Sequence, residues 1–242
     1  MIIGINGYAG VGKSTAAELI RLTLPNWEIK MFAGALKAVA AILTGYNYRD
    51  FEDQNFKKTI LGPEWNYWTV AAMSNGELKF EEGRFVTKAE AEGYAGFMKE
   101  TYGTFGMEYV VGMRMISVRQ MLQEVGTEGI RNGFHPNTWV NALFAQYRPT
   151  QVQWSDGPTG GYEDGPMPNW VITDMRFPNE ALAVKGRGGI TIRINKQGVG
   201  PARNHISETA LDDYDFDYVI NNDSSLSALG KQLTRIINER SA

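Results

Sequence analysis

The sequence has no cysteine and only two histidines among its 242 residues. Without thiols it has no disulfide scaffold, no cysteine-ligated zinc and no thiol nucleophile, and two histidines argue against a His-rich metal site. Charge of one sign does not dominate either, since 24 Lys and Arg against 27 Asp and Glu give a net charge of −3. Because there is also no long basic run, we expect no nucleic-acid partner, although a local basic pocket for a small anion fits this balance.

Long apolar runs are missing as well. The longest near the front, residues 38–43, is far shorter than the ~20 residues that a membrane span needs. Residues 1–6 have neither a charged leader nor a cleavage site. We therefore expect no membrane partner and a cytoplasmic protein. The chain is 43% hydrophobic and 21% charged, which is ordinary for a globular protein.

Short apolar strands alternate with amphipathic helices at both ends of the chain. The predicted strands are residues 2–5, 27–32, 170–173, 190–194 and 218–220. The predicted helices are residues 13–24, 35–43, 118–125, 140–147, 178–185 and 226–237. This order predicts an α/β fold with a five-stranded parallel sheet and helices on both of its faces.

Two segments depart from this alternation. Residues 45–112 are rich in aromatic residues and glycine, and we predict a mainly helical insertion that holds one hairpin, formed by residues 78–80 and 84–86 around Glu82-Gly83. Residues 155–168 contain four glycines and three prolines, which predicts a flexible loop. We interpret residues 1–242 as a single domain that carries this insertion and this loop.

The motif Gly7-x-x-x-x-Gly12-Lys13-Ser14 lies between a buried strand and an amphipathic helix. Glycines let the backbone wrap around phosphate oxygens, with N–H groups at a helix N-terminus facing the anion. Lys13 can reach the β- and γ-phosphates, and the Ser14 hydroxyl can ligate Mg²⁺. This context favours a phosphate loop over an ordinary Gly-rich turn, and it predicts a three-layer P-loop NTPase fold that binds ATP and Mg²⁺. The residues expected to hold the nucleotide are Gly10, Gly12, Lys13, Ser14 and Thr15.

Asp174 follows directly after the apolar run 170–173. Ligands of parallel α/β sheets bind outside the carboxyl ends of the strands, so this carboxylate is expected at the edge that holds the phosphate loop. There it can hold Mg²⁺ through water or take a proton from an acceptor. Capping of the next helix is the structural alternative, and both roles can hold together.

Asn195-Lys196-Gln197-Gly198 begins like the guanine-reading motif N-K-x-D and also follows a strand. Gly198 stands where the carboxylate that pairs with guanine is required. The motif therefore favours an ordinary loop and disfavours a GTPase.

The segment from Arg119 to Arg131 combines an apolar helix face with a polar cluster. Two arginines can hold a phosphate through bidentate bonds, and Gln123 can hydrogen-bond a base edge. We predict that the helix ends at Gly126-Thr127. A solvated face with i, i+4 pairs is the alternative interpretation.

Four segments carry a further signal when they are taken together. They are the phosphate loop, Phe32-Ala33-x-x-Leu36-Lys37, Arg119-x-x-Leu122-Gln123-x-x-Gly126-Thr127-Glu128-x-x-Arg131 and Asp174-Met175-Arg176-Phe177-Pro178-Asn179-Glu180. A weaker fifth is His205-x-Ser207-Glu208, in which His205 is either a surface residue or a lid residue that contacts phosphate.

Together these segments resemble the deoxynucleoside monophosphate kinases of tailed bacteriophages. The resemblance extends from residue 4 to about residue 222, and the insertion contributes little to it. If a phage encodes the chain, the expected cytoplasm is that of the host.

The resemblance implies a P-loop kinase domain that moves the γ-phosphate of ATP to deoxynucleoside 5′-monophosphates. Many members have Asp after the phosphate-loop lysine, so Ser14 implies a different metal ligation. The implied metal ligands are Ser14 and Asp174. The implied catalytic residues are Lys13, Asp174, Arg176 and Arg131. The implied substrate-binding residues are Lys37, Arg119, Gln123, Gly126, Thr127, Arg131, Trp139, Asp174, Arg176 and Glu180.

Other functions stay open at this point. One is a P-loop kinase of another small acceptor, and another is a non-catalytic nucleotide-binding module. A DNA-stimulated ATPase is disfavoured, because Met175 and not a glutamate follows Asp174. A homodimer is compatible with every one of these functions.

Overall fold

The computed structural model describes residues 1–103, 106–154, 161–201 and 206–241. The chain divides into a first unit, Met1–Val39 with Glu128–Ala242, and a second unit, Ala40–Thr127. The strands are β1 (Ile2–Asn6), β2 (Trp27–Lys30), β3 (Tyr67–Ser74), β4 (Glu77–Phe85), β5 (Glu108–Arg114), β6 (Gln151–Gln153), β7 (Tyr162–Asp164), β8 (Asn169–Ile172), β9 (Ile190–Asn195) and β10 (Tyr218–Asn221). The α-helices are α1 (Lys13–Thr23), α2 (Gly34–Thr44), α3 (Lys88–Tyr102), α4 (Val118–Gln123), α5 (Thr138–Phe144), α6 (Pro178–Lys185), α7 (Ile206–Thr209) and α8 (Leu226–Ser241).

The described residues also include other helical segments. Tyr48–Glu52, Phe56–Lys58 and Pro63–Trp65 are 3₁₀-helices, and Glu124–Asn132 is a π-helix. The π-helix follows α4 without a break and is the least common of these conformations.

The first unit is built on a five-stranded parallel sheet in the order β10-β9-β1-β8-β2. All five residues of β1 are buried, because this central strand is covered on both faces. Helices α1 and α8 pack on one face around Ile3 and Ile5, whereas α5 and α6 pack on the other around Ile2 and Ile172. The predicted five-stranded parallel sheet with helices on both faces is confirmed.

The second unit contains a three-stranded antiparallel sheet in the order β4-β3-β5. Helix α3 packs on one face of this sheet through Ala91 and Ala95 against Val70. Among the described residues of 45–112, slightly more are helical than lie in strands, and the three-stranded sheet is the part that the prediction of a mainly helical insertion did not include. The single-domain interpretation, with the insertion at about 45–112, stays a prediction.

The hairpin of the second unit lies at a different place from the predicted one. It connects β3 and β4 through Asn75 and Gly76, whose φ angles of 51° and 77° suit a type I′ turn. Gly83, expected at the turn, lies inside β4 with a φ of 77°, beside a shift in the pairing register. The hairpin prediction took a β-bulge glycine for a turn glycine.

The predicted loop at 155–168 is also only partly correct. Residues 162–164 form β7, which pairs antiparallel with β6, so the loop prediction is wrong for these three residues. Residues 155–160 lie outside the described part of the chain. Among the described residues, none of the helices combines the length and the apolar character that a membrane crossing requires.

Candidate active site

The phosphate loop connects the central strand β1 to α1, as the motif predicts. Gly12 has a φ of 101° and Gly7 a φ of 146°, which are angles that side chains with a Cβ rarely adopt. A Cβ on Gly7 would lie 2.4 Å from the carbonyl oxygen of Ile194. The loop can therefore approach the end of β9 only because this residue is glycine.

Lys13 begins α1 and folds back over its own loop. Its Nζ donates hydrogen bonds to the carbonyl oxygens of Gly7 at 2.7 Å and Tyr8 at 2.8 Å. Burial, together with the positive charge of Arg176, lowers the pKa of Lys13 to about 8. The negative charges of Glu208 and Asp174 act on this pKa in the opposite direction.

Ser14 and Thr15 occupy the first turn of α1 with exposed side chains. The first N–H groups of a helix have no acceptor within the helix, and they carry the positive end of its dipole. Gly10, also exposed, belongs to the same loop. All five predicted nucleotide-binding residues thus lie in one segment that suits phosphate oxygens.

Asp174 lies two residues beyond β8, next to the phosphate loop in the sheet order. Its two oxygens accept the backbone N–H groups of Phe32, at 2.8 Å, and Ala33, at 2.9 Å. These contacts fix the connection from β2 to α2. The alternative role predicted for Asp174, as the cap of α6, is wrong, because Phe177 is the N-cap residue and Glu180 accepts the backbone N–H groups there.

Arg176 and Glu208 form an ion pair in the same region. The Arg176 Nη1 lies 2.7 Å from the Glu208 Oε1. The charges of Arg176, Glu208 and Asp174 all act on Lys13. The structure thereby brings the predicted catalytic residues Lys13, Asp174 and Arg176 into one electrostatic cluster.

Arg131 meets Glu180, which lies 49 residues away in the sequence. Its Nη2 donates to the Glu180 Oε1 at 2.7 Å, and its guanidinium lies 3.9 Å from the centre of the Phe177 ring. Both side chains are largely buried. Burial raises the pKa of Glu180 to about 7, against the bonds from the Arg176 backbone and from Arg131, which lower it.

The remaining predicted residues of the first unit are also buried. Lys37 is 7% exposed, and its Nζ lies 3.3 Å from the Met31 sulfur. Trp139 is 6% exposed. Little of either side chain is therefore available to a ligand. His205 lies outside the described residues.

The other predicted acceptor residues belong to the second unit, namely Arg119, Gln123, Gly126 and Thr127. Arg119 donates from Nη2 to the Gln54 Oε1 at 2.9 Å. The prediction that Gly126-Thr127 ends the helix is wrong, because the π-helix Glu124–Asn132 runs through both residues. Isolated π-turns occur frequently at functional sites, and this one contains most of the polar motif.

Sequence reasoning missed Arg193, a buried residue of β9. Its guanidinium donates to the Asn6 side chain and to the Asp212 Oδ1, the latter at 2.9 Å. It also lies 4.7 Å from the Tyr8 ring centre, and the Tyr8 hydroxyl donates to Asp212 at 2.8 Å. The network therefore supports the phosphate loop. A charged residue in a strand predicted to be covered on both faces was the available signal, because such a charge requires partners.

Replacing Asp174 by asparagine tests its tie to the β2–α2 connection. An amide has one acceptor oxygen, so one of the two N–H groups loses its partner. We expect Asp174→Asn to lower the free energy of unfolding by about 1–3 kcal/mol, measured by urea denaturation. Asp215→Asn, at an exposed position, is the matched control. Equal stability of the two variants would contradict this role.

The raised pKa of Glu180 predicts a pH-dependent stability. Between its ordinary value of 4.5 and about 7, the folded protein keeps a proton that the unfolded chain has released. The contribution of Glu180 to the free energy of unfolding is therefore complete below 4.5 and is lost as the pH rises through about 7. Glu180→Gln is expected to flatten this slope in urea titrations, whereas exposed Glu163→Gln should keep it. If the free energy of unfolding keeps the same slope against pH in Glu180→Gln, other groups cause that slope.

Comparisons of the sequence with family models and with curated proteins point to the same family. The family model of deoxynucleotide monophosphate kinase matches residues 1–233. The deoxynucleotide monophosphate kinase of Enterobacteria phage T4 is 33% identical over 113 residues, which are 47% of this chain and 42% of the phage protein. The deoxynucleotide monophosphate kinase of Escherichia phage RB69 is 29% identical over 121 residues, which are 50% of this chain and 45% of the RB69 protein.

These alignments cover less than half the length of each relative. The family model, in contrast, extends from the strand before the phosphate loop into α8. The chain belongs to the deoxynucleotide monophosphate kinase family.

Proposed function

We propose that the protein transfers the γ-phosphate of ATP to the 5′-phosphate of a deoxynucleoside monophosphate. The observation that carries this proposal is the geometry of the phosphate loop, where the Lys13 Nζ lies on the carbonyl oxygens of Gly7 and Tyr8 at the start of α1. This geometry suits a phosphate anion at the N-terminal end of the helix. The family to which the chain belongs supports a nucleotide as that anion.

The donor phosphates bind in the loop, where Gly10 and Gly12 admit them to the backbone and Lys13 leaves the Gly7 and Tyr8 carbonyls to meet them. Ser14 and Thr15 supply hydroxyl groups at the start of α1. Phosphoryl transfer is catalysed mostly by positioning and by charge stabilisation, and no side-chain nucleophile is needed. The acceptor's phosphate oxygen forms the new bond to phosphorus as the bond to ADP breaks.

The residues present fit a bound Mg²⁺. Ser14 offers an exposed hydroxyl, and each Asp174 oxygen keeps a lone pair beyond its one backbone bond. Oxygen ligands of this kind, with water and phosphate, are those that Mg²⁺ prefers. When bound, the ion neutralises charge on the β- and γ-phosphates.

For the acceptor, the first unit supplies Arg131, Arg176 and Glu180. Arg176 pairs with Glu208, and a phosphate that competes with this carboxylate gains the planar guanidinium as its partner. Glu180 holds Arg131 in position. In the second unit, we propose that Arg119, Gln123, Gly126 and Thr127 also bind the acceptor, as the resemblance implies, while Lys37 and Trp139 stay predictions from that resemblance alone.

An assay of ADP release with each deoxynucleoside monophosphate tests the proposal. Turnover that depends on such an acceptor, and that Lys13→Ala abolishes while the melting temperature is kept, supports it. ATP binding without turnover would favour a non-catalytic nucleotide-binding module. Turnover that appears only with other small acceptors would favour a different P-loop kinase.

The lowered pKa of Lys13 predicts proton uptake on ATP binding. At a pH of about 8.5, a lysine with a pKa of about 8 is mostly neutral, and phosphate favours its charged form. Calorimetry in buffers of different ionisation enthalpy should therefore show that a large fraction of a proton enters with each ATP. Lys13→Met is expected to remove the uptake. Equal uptake by that variant would assign the proton to another group.

Arginine variants test the acceptor residues. A bond to a charged group contributes about 1.5–3 kcal/mol, so Arg119→Ala should raise KM for the deoxynucleoside monophosphate about ten- to a hundredfold and leave KM for ATP nearly unchanged. At Arg131 the lysine variant is preferable, because alanine removes the ion partner of the buried Glu180, and breaking a buried ion pair costs about 3–5 kcal/mol. Lysine keeps the charge but loses the planar fork, so KM for the acceptor should rise here too.

Arg235→Ala is the control for both variants, because its ion pair with Glu239 is exposed. If these arginine variants raise KM for ATP instead, the arginines belong to the donor site. If neither KM changes, the arginines do not bind the acceptor.

A further inference from the structure

A second feature of the first unit lies beside the phosphate loop. It is a cavity of about 490 Å³, and its wall includes Thr15 of α1 and residues that follow β9 and β10. Cavities of roughly 300–1,000 Å³ are typical of small-ligand sites. The cavity therefore has room for the nucleoside part of a nucleotide.

The phosphate loop and this cavity share contacts. The Asn222 side chain donates to the carbonyl oxygen of Val11 at 2.9 Å. Its amide nitrogen lies only 2.6 Å from the position that a Cβ on Gly12 would occupy. The loop after β10 is thus fastened to the loop that holds phosphate. A nucleotide whose phosphates bind at Lys13 has its nucleoside within reach of the cavity.

The walls of the cavity differ in chemistry. Leu226 and Leu229 supply an apolar surface on which the face of a base can pack. Lys196, Gln197 and Asp223 supply the polar side. Base-binding sites need both elements, because a nucleobase has an apolar face and a polar edge.

Asp223 is the informative member of this polar side. Its Oδ1 accepts the backbone N–H of Gln197 at 2.6 Å, which joins the loops after β9 and β10. A carboxylate has two oxygens and no donor, so this bond leaves the second oxygen as an acceptor. No carboxylate is present in the segment Asn195-Lys196-Gln197-Gly198. Asp223, which follows the neighbouring strand β10, supplies one through its contact with Gln197.

We infer that Asp223 reads the exocyclic amino group of a purine in the phosphate donor, an inference that rests on the proposed function. The 6-amino group of adenine and the 2-amino group of guanine both donate to a carboxylate oxygen. Asp223 is exposed, and a base bound in the cavity would cover it. A purine that lacks the amino group would then leave this oxygen without a donor, which costs affinity. Asp223 is therefore a specificity-determining residue for the donor base.

Two pairs of nucleotides isolate the amino group. ATP is compared with purine riboside triphosphate, and GTP with ITP, so that the two arms distinguish a 6-amino from a 2-amino group. Binding of each is measured by calorimetry with the acceptor absent. The wild-type protein should bind the amino member of at least one pair about tenfold or more tightly, the factor of one hydrogen bond to a charged group.

Asp223→Asn keeps an oxygen for the Gln197 N–H and places an NH₂ group where the free acceptor was. We expect it to reduce the preference for the amino purine to about twofold or less. Asp223→Ala should have the same effect, and melting temperatures identify any variant that fails to fold. Asp215→Asn, an exposed carboxylate elsewhere in the same unit, should keep the wild-type preference.

Two results would overturn the inference. One is a wild-type protein that binds both members of each pair equally, and the other is a folded Asp223→Asn that keeps the preference. Failure of the proposed function looks different, because a protein that prefers amino purines but forms no deoxynucleoside diphosphate retains the base site and loses only the transfer. Transfer from all four donors at equal efficiency would leave the proposed function intact and overturn the inference about Asp223.

Discussion

The amide side chain of Asn6 is the interaction on which the site depends. It donates to the carbonyl oxygen of Met175 at 2.7 Å and accepts from Arg193, so one buried group joins the end of β1 to the chain after β8 and to β9. The phosphate loop begins at the next residue, and Asp174 and Arg176 flank the accepting carbonyl. Because a buried amide has a high cost when its partners are lost, this bond fixes the three segments relative to one another.

Carboxylates accompany the arginines described above in the region of the candidate site. Arg131 pairs with Glu180, Arg176 with Glu208 and Arg193 with Asp212. An incoming phosphate competes with such a partner before it gains a contact. The competition is weakest at Arg176, whose side chain is the most exposed of the three, at 44%. The more buried pairs suit positioning better than exchange.

The sheet and the phosphate loop could be predicted because their signals are local. Buried strands without polar alternation, a glycine motif and amphipathic helices lie in single stretches of sequence. The hairpin at Asn75-Gly76 also had a local signal, since this dipeptide suits a type I′ turn, but the prediction chose Gly83 instead. Contacts such as Arg131 with Glu180 had no local signal, because their partners are far apart in the chain. The same holds for Asp174, whose carboxylate binds the backbone at Phe32 and not the helix that follows it.

The π-helix Glu124–Asn132 constrains how this protein can change by insertion or deletion. Its i→i+5 bonds accommodate more residues per turn than the 3.6 of an α-helix. Loss or gain of a single residue before Arg131 would change which N–H meets which carbonyl in this segment and would move the guanidinium around and along the helix axis, away from Glu180. Surface loops tolerate changes of length, whereas we expect a helical segment that positions a buried ion pair to tolerate them poorly. The length of the segment before Arg131 therefore constrains the Arg131–Glu180 ion pair as much as the two residues themselves do.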